Sequence, residues 1–415
     1  MASVATHGDV GPSSATRDRA RLEGRRQGGS AMTGSGDSAH ETAVIDRDGL
    51  DRLVDVLREQ RYRVIGPQVR DGAIVLDELD SGARLPAGWG VRTAPGSYRL
   101  FRREDEAVFA NSAGPGSWKQ FLHPPHRKVW ETGPDLNIVA AEEVPVRTAF
   151  IGVRGCDLAA IAVLGRVLGG GTHPDRSYAA RRAGLFIVAV NCTEPGGVCF
   201  CASMGTGPAA GPGYDLALTE RVDDAGHRFL VEVGTPAGAE VLAELTARPA
   251  DTAEIAAAHA AVAAAADRMG RAMPDVDVPA VLRESRESPH WDDVASRCLT
   301  CANCTMVCPT CFCTTTEDVT DLTGEHAERW ERWASCFELD FSYLHGGSVR
   351  QSGQSRYRQW LSHKLGTWHD QFGSSGCVGC GRCIAWCPAG IDLTAEVTRL
   401  AELGSTERLS QRDQV

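Results

Sequence analysis

Long apolar runs are missing from this 415-residue sequence: stretches such as 158–164 and 185–190 fall far short of the roughly 20 apolar residues that span a bilayer. A basic surplus is missing as well. Acidic residues number 54 against 43 basic ones, a net charge of −11, so the footprint of a nucleic-acid binder is absent. The glycine-rich pieces near Gly205 and Gly211 do not match the strand-turn-helix dinucleotide fingerprint, and there is no Gly-Lys-Ser/Thr phosphate loop. No flavin site, nickel site or nucleophile triad is legible. Large apolar side chains are nearly absent from the first forty residues, which are Gly, Ser, Ala and Arg-rich and read as a disordered tail. The Arg25-Arg26 pair runs into Gln27-Gly28-Gly29-Ser30 rather than the apolar stretch of an export signal. The expectation is a soluble cytoplasmic protein with no membrane and no nucleic-acid partner, and with Met32 a candidate start.

What is abundant is cysteine. The chain has 15, four between Cys156 and Cys201 and eleven between Cys298 and Cys387. In a reducing compartment such clustering points to metal ligation rather than disulfides. Length suggests two or three domains at about 150 residues each. The expected fold class is an α/β (α+β) amino-terminal domain with a βαβ unit, then a helical brace, then a bacterial-type two-cluster ferredoxin domain with a long insertion. The expected boundaries are a tail over 1–42, an α/β domain over 43–235, a helical connector over 236–296, a ferredoxin-like domain over 297–400 with insertion 310–376, and a tail over 401–415.

Within the first domain, residues 46–143 read as short strands and loops, with strands over 62–65, 73–76 and 98–101. The Pro-punctuated segment Leu122-His-Pro-Pro-His126, followed by Lys128 and Trp130, reads as extended chain over the next unit. The apolar run 148–153, the helical spacing over 157–168 and the apolar run 185–190 make a βαβ unit. A right-handed crossover places both strand ends on one sheet edge, where Cys156 and Cys192 follow. Alternation over 215–219 and 229–233 around Asp224-Ala225-Gly226 reads as a hairpin. Helices are expected over 238–247 and 252–269 and from Pro279, with His259 an ordinary solvated or packed side chain.

The most specific signal is a duplicated run: Cys298-Leu-Thr-Cys301-Ala-Asn-Cys304-Thr-Met-Val-Cys308-Pro309 and Cys377-Val-Gly-Cys380-Gly-Arg-Cys383-Ile-Ala-Trp-Cys387-Pro388. This is the spacing of two-cluster ferredoxins, in which the first three cysteines wrap one cubane and the fourth reaches the other. Cys298, Cys301, Cys304 and Cys387 are thereby assigned to one 4Fe-4S cluster, and Cys308, Cys377, Cys380 and Cys383 to a second. The alternative is a pair of zinc knuckles, which do not need the trailing Cys-Pro. The insertion carries Trp330, Trp333, Trp360 and Trp368 with Arg329, Arg332, Arg350, Arg356 and Arg358, the residues of a packed shield or of a docking surface.

Cys156, Cys192, Cys199 and Cys201 form a further set, read as ligands of a third 4Fe-4S cluster against the alternative of four buried inert thiols. Cys156 lies near a helix N-terminus that favours a thiolate, and Asp157 is an acceptable substitute ligand. Cys311, Cys313 and Cys336 are three thiols that could hold a further metal with an outside ligand, but packing beside the first cluster is the expected role. No catalytic residue is expected in this chain.

The combination of Gly152-Val153-Arg154-Gly155-Cys156-Asp157, Asn191-Cys192, Cys199-Phe200-Cys201 and the paired ferredoxin runs resembles the beta subunit of cytoplasmic NAD(P)-linked nickel-iron hydrogenases, the sulfhydrogenase beta subunits. The alpha subunit of anaerobic sulfite reductase is similar. The resemblance runs from about residue 50 and includes 329–336 and 357–364; relatives commonly have proline where this chain has Gly155. It implies an iron-sulfur subunit relaying single electrons between a flavin/NAD(P)-binding subunit and the hydrogenase small and large subunits. The alternatives are a sulfite reductase relay and a zinc-stabilised interaction protein.

Overall fold

A computed structural model describes residues 42–141 and 146–412, with side chains described to residue 406. The expected tail over 1–42 and Met32 lie outside the described residues, apart from Thr42. The principal sheet has eight strands in the order Arg248–Pro249, Thr42–Asp46, Gly226–Val233, Leu216–Asp223, Leu185–Val190, Thr148–Arg154, Arg63–Arg70 and Ala73–Glu78. The four strands from Leu216–Asp223 to Arg63–Arg70 are mutually parallel, and the outer ones pair antiparallel. Parallel strands are buried on both faces, which is why 148–153 and 185–190 read as continuous apolar runs rather than alternating ones. Helix Gly155–Leu168 is the crossover between them.

One helix was hidden in the segment read as strands and loops. Arg47–Glu59 buries Leu50, Leu53, Val54 and Leu57, an i, i+3, i+4, i+7 stripe, and Asp46 caps it by accepting the Gly49 N–H at 2.9 Å. Acidic and basic residues between the apolar ones masked the period. The connector helices are Pro236–Leu242, Thr252–Asp267, Val278–Glu284 and His290–Arg297, shorter than expected at their carboxyl ends. His259 is exposed on its helix, 3.3 Å from Glu232.

The segment after Leu122 does not merely lie over its neighbour. Strand His126–Thr132 pairs with Ala327–Trp333 from the insertion, giving a four-stranded antiparallel sheet completed by Thr314–Thr320 and Ile138–Ala140. Within the insertion Trp360 and Trp368 are buried, and Trp330 and Trp333 are half-buried on the sheet. Arg329 and Arg332 pair across the hairpin with Asp318 and Glu317. The second core joins Trp291, Phe337, Tyr357, Trp360 and Leu361 to Val198 and Phe200 from the first half. Both halves therefore close over one apolar centre, and the described residues form a single compact unit.

Candidate metal centres

Each ferredoxin run folds as a tight loop followed by one helical turn, Asn303–Met306 in the first and Arg382–Ala385 in the second. The two loops bend at matching places. Thr300 and Ala302 have φ of 49° and 65°, and Gly379 and Gly381, at the same offsets from their leading cysteines, have 66° and 73°. A left-handed β-branched threonine is costly and persists where the surroundings over-determine it. The bend turns backbone donors inward: the Thr300 N–H donates to Cys298 Sγ at 3.4 Å and the Gly379 N–H to Cys377 Sγ at 3.5 Å. The Ile391 N–H does the same for Cys387 Sγ at 3.3 Å. Such N–H donors stabilise thiolates and raise the potential of a cluster they hold.

Cys298, Cys301, Cys304 and Cys387 line one cavity, with Tyr357 and Trp360 on its wall. The hydroxyl of Tyr357 and the indole N–H of Trp360 are buried there without a hydrogen-bond partner among the described residues. Orphaned donors of this kind call for acceptors inside the cavity, which the sulfides of a cluster supply. Cys383 also lines this cavity, and the thiols that act on it most strongly are Cys377, Cys380 and the buried Cys308. The buried ammonium of Lys364 donates to Cys308 Sγ at 3.3 Å, to Thr310 Oγ1 at 3.2 Å and to Gly376 O at 3.4 Å. Burial alone would push Lys364 down, but the sulfurs of Cys308, Cys311 and Cys377 outweigh it and hold the ammonium well above its ordinary value.

Burial pushes Cys377 up to about 12 and Cys380 up to about 11, and raises Cys304 and Cys383 well above the usual thiol range. Crowded thiols in this state give up their protons to bound metal, whose charge replaces them. A mononuclear zinc site with Zn–S near 2.3 Å holds its sulfurs roughly 3.8 Å apart. Among the described residues the ligand triplets mutually within 4.8 Å are His123/Asp175/Glu331, Glu131/His326/Glu328 and His290/Asp293/Glu396, none of which includes a cysteine. No three cysteines among the described residues fall within that spacing of one another.

Cys156, Cys192, Cys199 and Cys201 line a second cavity at the carboxyl edge of the parallel strands, together with Cys380. Cys192 donates its N–H to Pro208 O at 3.1 Å, and Asn191 Oδ1 accepts the Ala210 N–H at 2.8 Å, which staples the 201–210 loop to the strand end. Gly155 fits against this loop: a Cβ there would lie 2.3 Å from Ala209 O. A contact with Cys201, then burial, raises Cys156 well above its usual range, and burial pushes Cys199 up to about 12.

Asp157 lies on the wall of the same cavity. It is buried in an ion pair with Arg382 at 2.9 Å and accepts the Arg154 N–H. Arg382, also buried, is the residue whose part the sequence did not disclose; it links the first half to the second ferredoxin run and reaches Gly116 O at 3.2 Å. The two loops themselves are stitched together. The Phe200 N–H donates to Gly379 O at 2.9 Å, and Thr206 Oγ1 donates to Val378 O at 2.7 Å.

Residues 297–391 match the family model of the 4Fe-4S dicluster domain. The chain is similar to Sulfhydrogenase 2 subunit beta of Pyrococcus furiosus, at 33% identity over 246 residues, covering 59% of this chain and 71% of that protein. No solved structure matches. The match to the dicluster family assigns iron-sulfur clusters to this chain. Among the described residues no helix is long and apolar enough to cross a membrane.

Proposed function

This chain belongs to the sulfhydrogenase beta-subunit family, and from that membership and the order of its cysteine sites we propose that it relays single electrons within a nickel-iron hydrogenase complex. At one end of the path a flavin/NAD(P)-binding subunit exchanges electrons with it, and at the other the hydrogenase small subunit does. Cys298, Cys301, Cys304 and Cys387 hold one 4Fe-4S cluster and Cys308, Cys377, Cys380 and Cys383 hold the second. Cys156, Cys192, Cys199 and Cys201 hold a third.

The observation that carries this reading is the position of Cys380, a residue of the second ferredoxin run on the wall of the cavity that holds the first-half cysteines. The Phe200–Gly379 hydrogen bond fixes the two ligand loops against each other. Electrons arriving at one site thus meet a neighbouring site through directly bonded backbone rather than across solvent. The clusters supply the one-electron chemistry; the protein supplies thiolates, N–H donors to sulfur, buried cations and exclusion of water.

Anaerobic purification through a tag on this chain tests the assignment. The expected result is a brown complex that contains a flavoprotein and a nickel-iron protein. Finding a sirohaem protein in their place would redirect the terminal reaction to sulfite. A colourless protein with bound zinc and no acid-labile sulfide would overturn the relay altogether.

A further inference from the structure

Cys311, Cys313 and Cys336 were expected to pack beside the first cluster. Cys336 does pack in the core that holds Cys298 and Cys304, and all three also line a third cavity of about 230 Å³, which adjoins the first through Trp360. Local structure brings them together. Cys311 and Cys313 precede strand Thr314–Thr320, and two residues apart they can share a face. The hairpin register sets Thr314 against Trp333, and the Ala334 N–H donates to Cys313 O at 2.8 Å, so Cys336 emerges at the same open end.

Two features of the wall ask for an anionic, acceptor-rich occupant. The indole N–H of Trp368 belongs to a buried residue lining the cavity and has no hydrogen-bond partner among the described residues. Lys364 lines the cavity too, 3% exposed, so the ammonium that faces the Cys308 sulfur of the second cluster site also borders this one, with no carboxylate among its three hydrogen-bond partners. Behind the wall rather than on it, Lys119, also 3% exposed, donates to Cys311 O at 3.0 Å and lies 3.6 Å over the Trp333 ring. Buried ammonium groups without carboxylates are expensive unless another anion compensates them. A thiolate-bound iron-sulfur cluster is such an anion, and its sulfides accept N–H donors.

We propose that Cys311, Cys313 and Cys336 bind a further 4Fe-4S cluster, in addition to those of the ferredoxin runs and the first-half set. Three thiols with an imidazole on the same wall supply the four ligands that a cubane takes. The fourth iron falls to His363 on the same wall. Its Nε2 is 3.2 Å from the Gln371 amide oxygen, which accepts the Nε2 hydrogen and leaves Nδ1 as the ligand atom. His363 and Lys364 sit in the π-helical turn His363–Thr367, the kind of irregularity that recurs at functional sites.

The inference rests on the iron-sulfur reading of the chain, and the experiment separates the two. Full-length protein and its Cys313→Ser/Cys336→Ser variant are purified without oxygen and analysed for iron, acid-labile sulfide and zinc. The variant is expected to lose about four irons and four sulfides per chain, the content of one cubane, while keeping the rest. Equal iron and sulfide in the two proteins, or loss of one zinc instead, would overturn the site alone; absence of iron from both would sink the wider reading. Because the variant could fail to fold, the wild-type protein is also treated with an alkylating reagent before and after cluster removal by a chelator. Alkylation of Cys311, Cys313 and Cys336 in the folded, iron-loaded protein, with the eight ferredoxin cysteines still protected, would equally overturn it. Protection lifted only by the chelator supports it.

Discussion

Replacing Lys364 by methionine should lower the reduction potential of the cluster held through Cys308 while leaving its iron in place. The side chain is buried and its ammonium is 3.3 Å from Cys308 Sγ, so the charge acts with little screening from salt. At an effective dielectric constant of about 20, a unit charge and an added electron 3.3 Å apart attract by about 5 kcal/mol. For a one-electron couple that is about 200 mV, an upper bound because the electron is shared over the whole cluster. A fall of about 50 to 200 mV is therefore expected. Methionine keeps the volume and removes only the charge and its hydrogen bonds, so iron and sulfide content should match the wild type. The assay is a redox titration of anaerobically purified protein followed by electron paramagnetic resonance. Unchanged potentials, or an upward shift, would refute the idea that this ammonium faces a reducible cluster.

Arg382→Met should strand the buried charge of Asp157 and destabilise the chain by about 3–5 kcal/mol, and adding Asp157→Leu should recover part of that loss in guanidinium unfolding. Equal stability of Arg382→Met and wild type would show the pair to be expendable. Cys156→Ala should remove about four irons while the ferredoxin clusters keep their resonance signals; an unchanged iron count and spectrum would dismiss the third cluster. Gly379→Ala places a Cβ 2.6 Å from Cys201 Cα at a φ of 66°, so it should cost about 1–2 kcal/mol for the left-handed backbone and more for the displaced loop. Its expected signature is loss of iron from the first-half site before the others, read by iron analysis during mild chelation; simultaneous loss from all sites would argue against direct docking of the two loops.

Much of the ligand chemistry was open to reading without a structure because spacing in the two ferredoxin runs is set by the cluster itself. Three thiolates around one cubane corner need two intervening residues, and that demand is written locally. The βαβ unit was legible for a related reason: strands buried on both faces leave continuous apolar runs, and the crossover rule then fixes which edge carries Cys156 and Cys192. Helix Arg47–Glu59 was not legible, because charged residues between Leu50, Leu53 and Leu57 imitate the mixed polarity of strands and turns. The strand His126–Thr132 was obscured by the prolines before it, and its pairing partner lies about 200 residues away in the insertion.

Sequence alone determined the number of thiols, their grouping and the kind of metal they suit, since these follow from residue type and short-range spacing. Tertiary structure decided which groups meet. Only folding sets Arg382 against Asp157 and thereby ties the first half to the second ferredoxin run. Only folding lays the Cys199–Cys201 loop on Gly379, and opens a cavity where Cys311, Cys313 and Cys336 were expected to pack. The physical reason is range: ligand spacing is local along the chain, whereas desolvation, ion pairing and the placement of orphaned donors depend on segments that approach one another only after the core has formed.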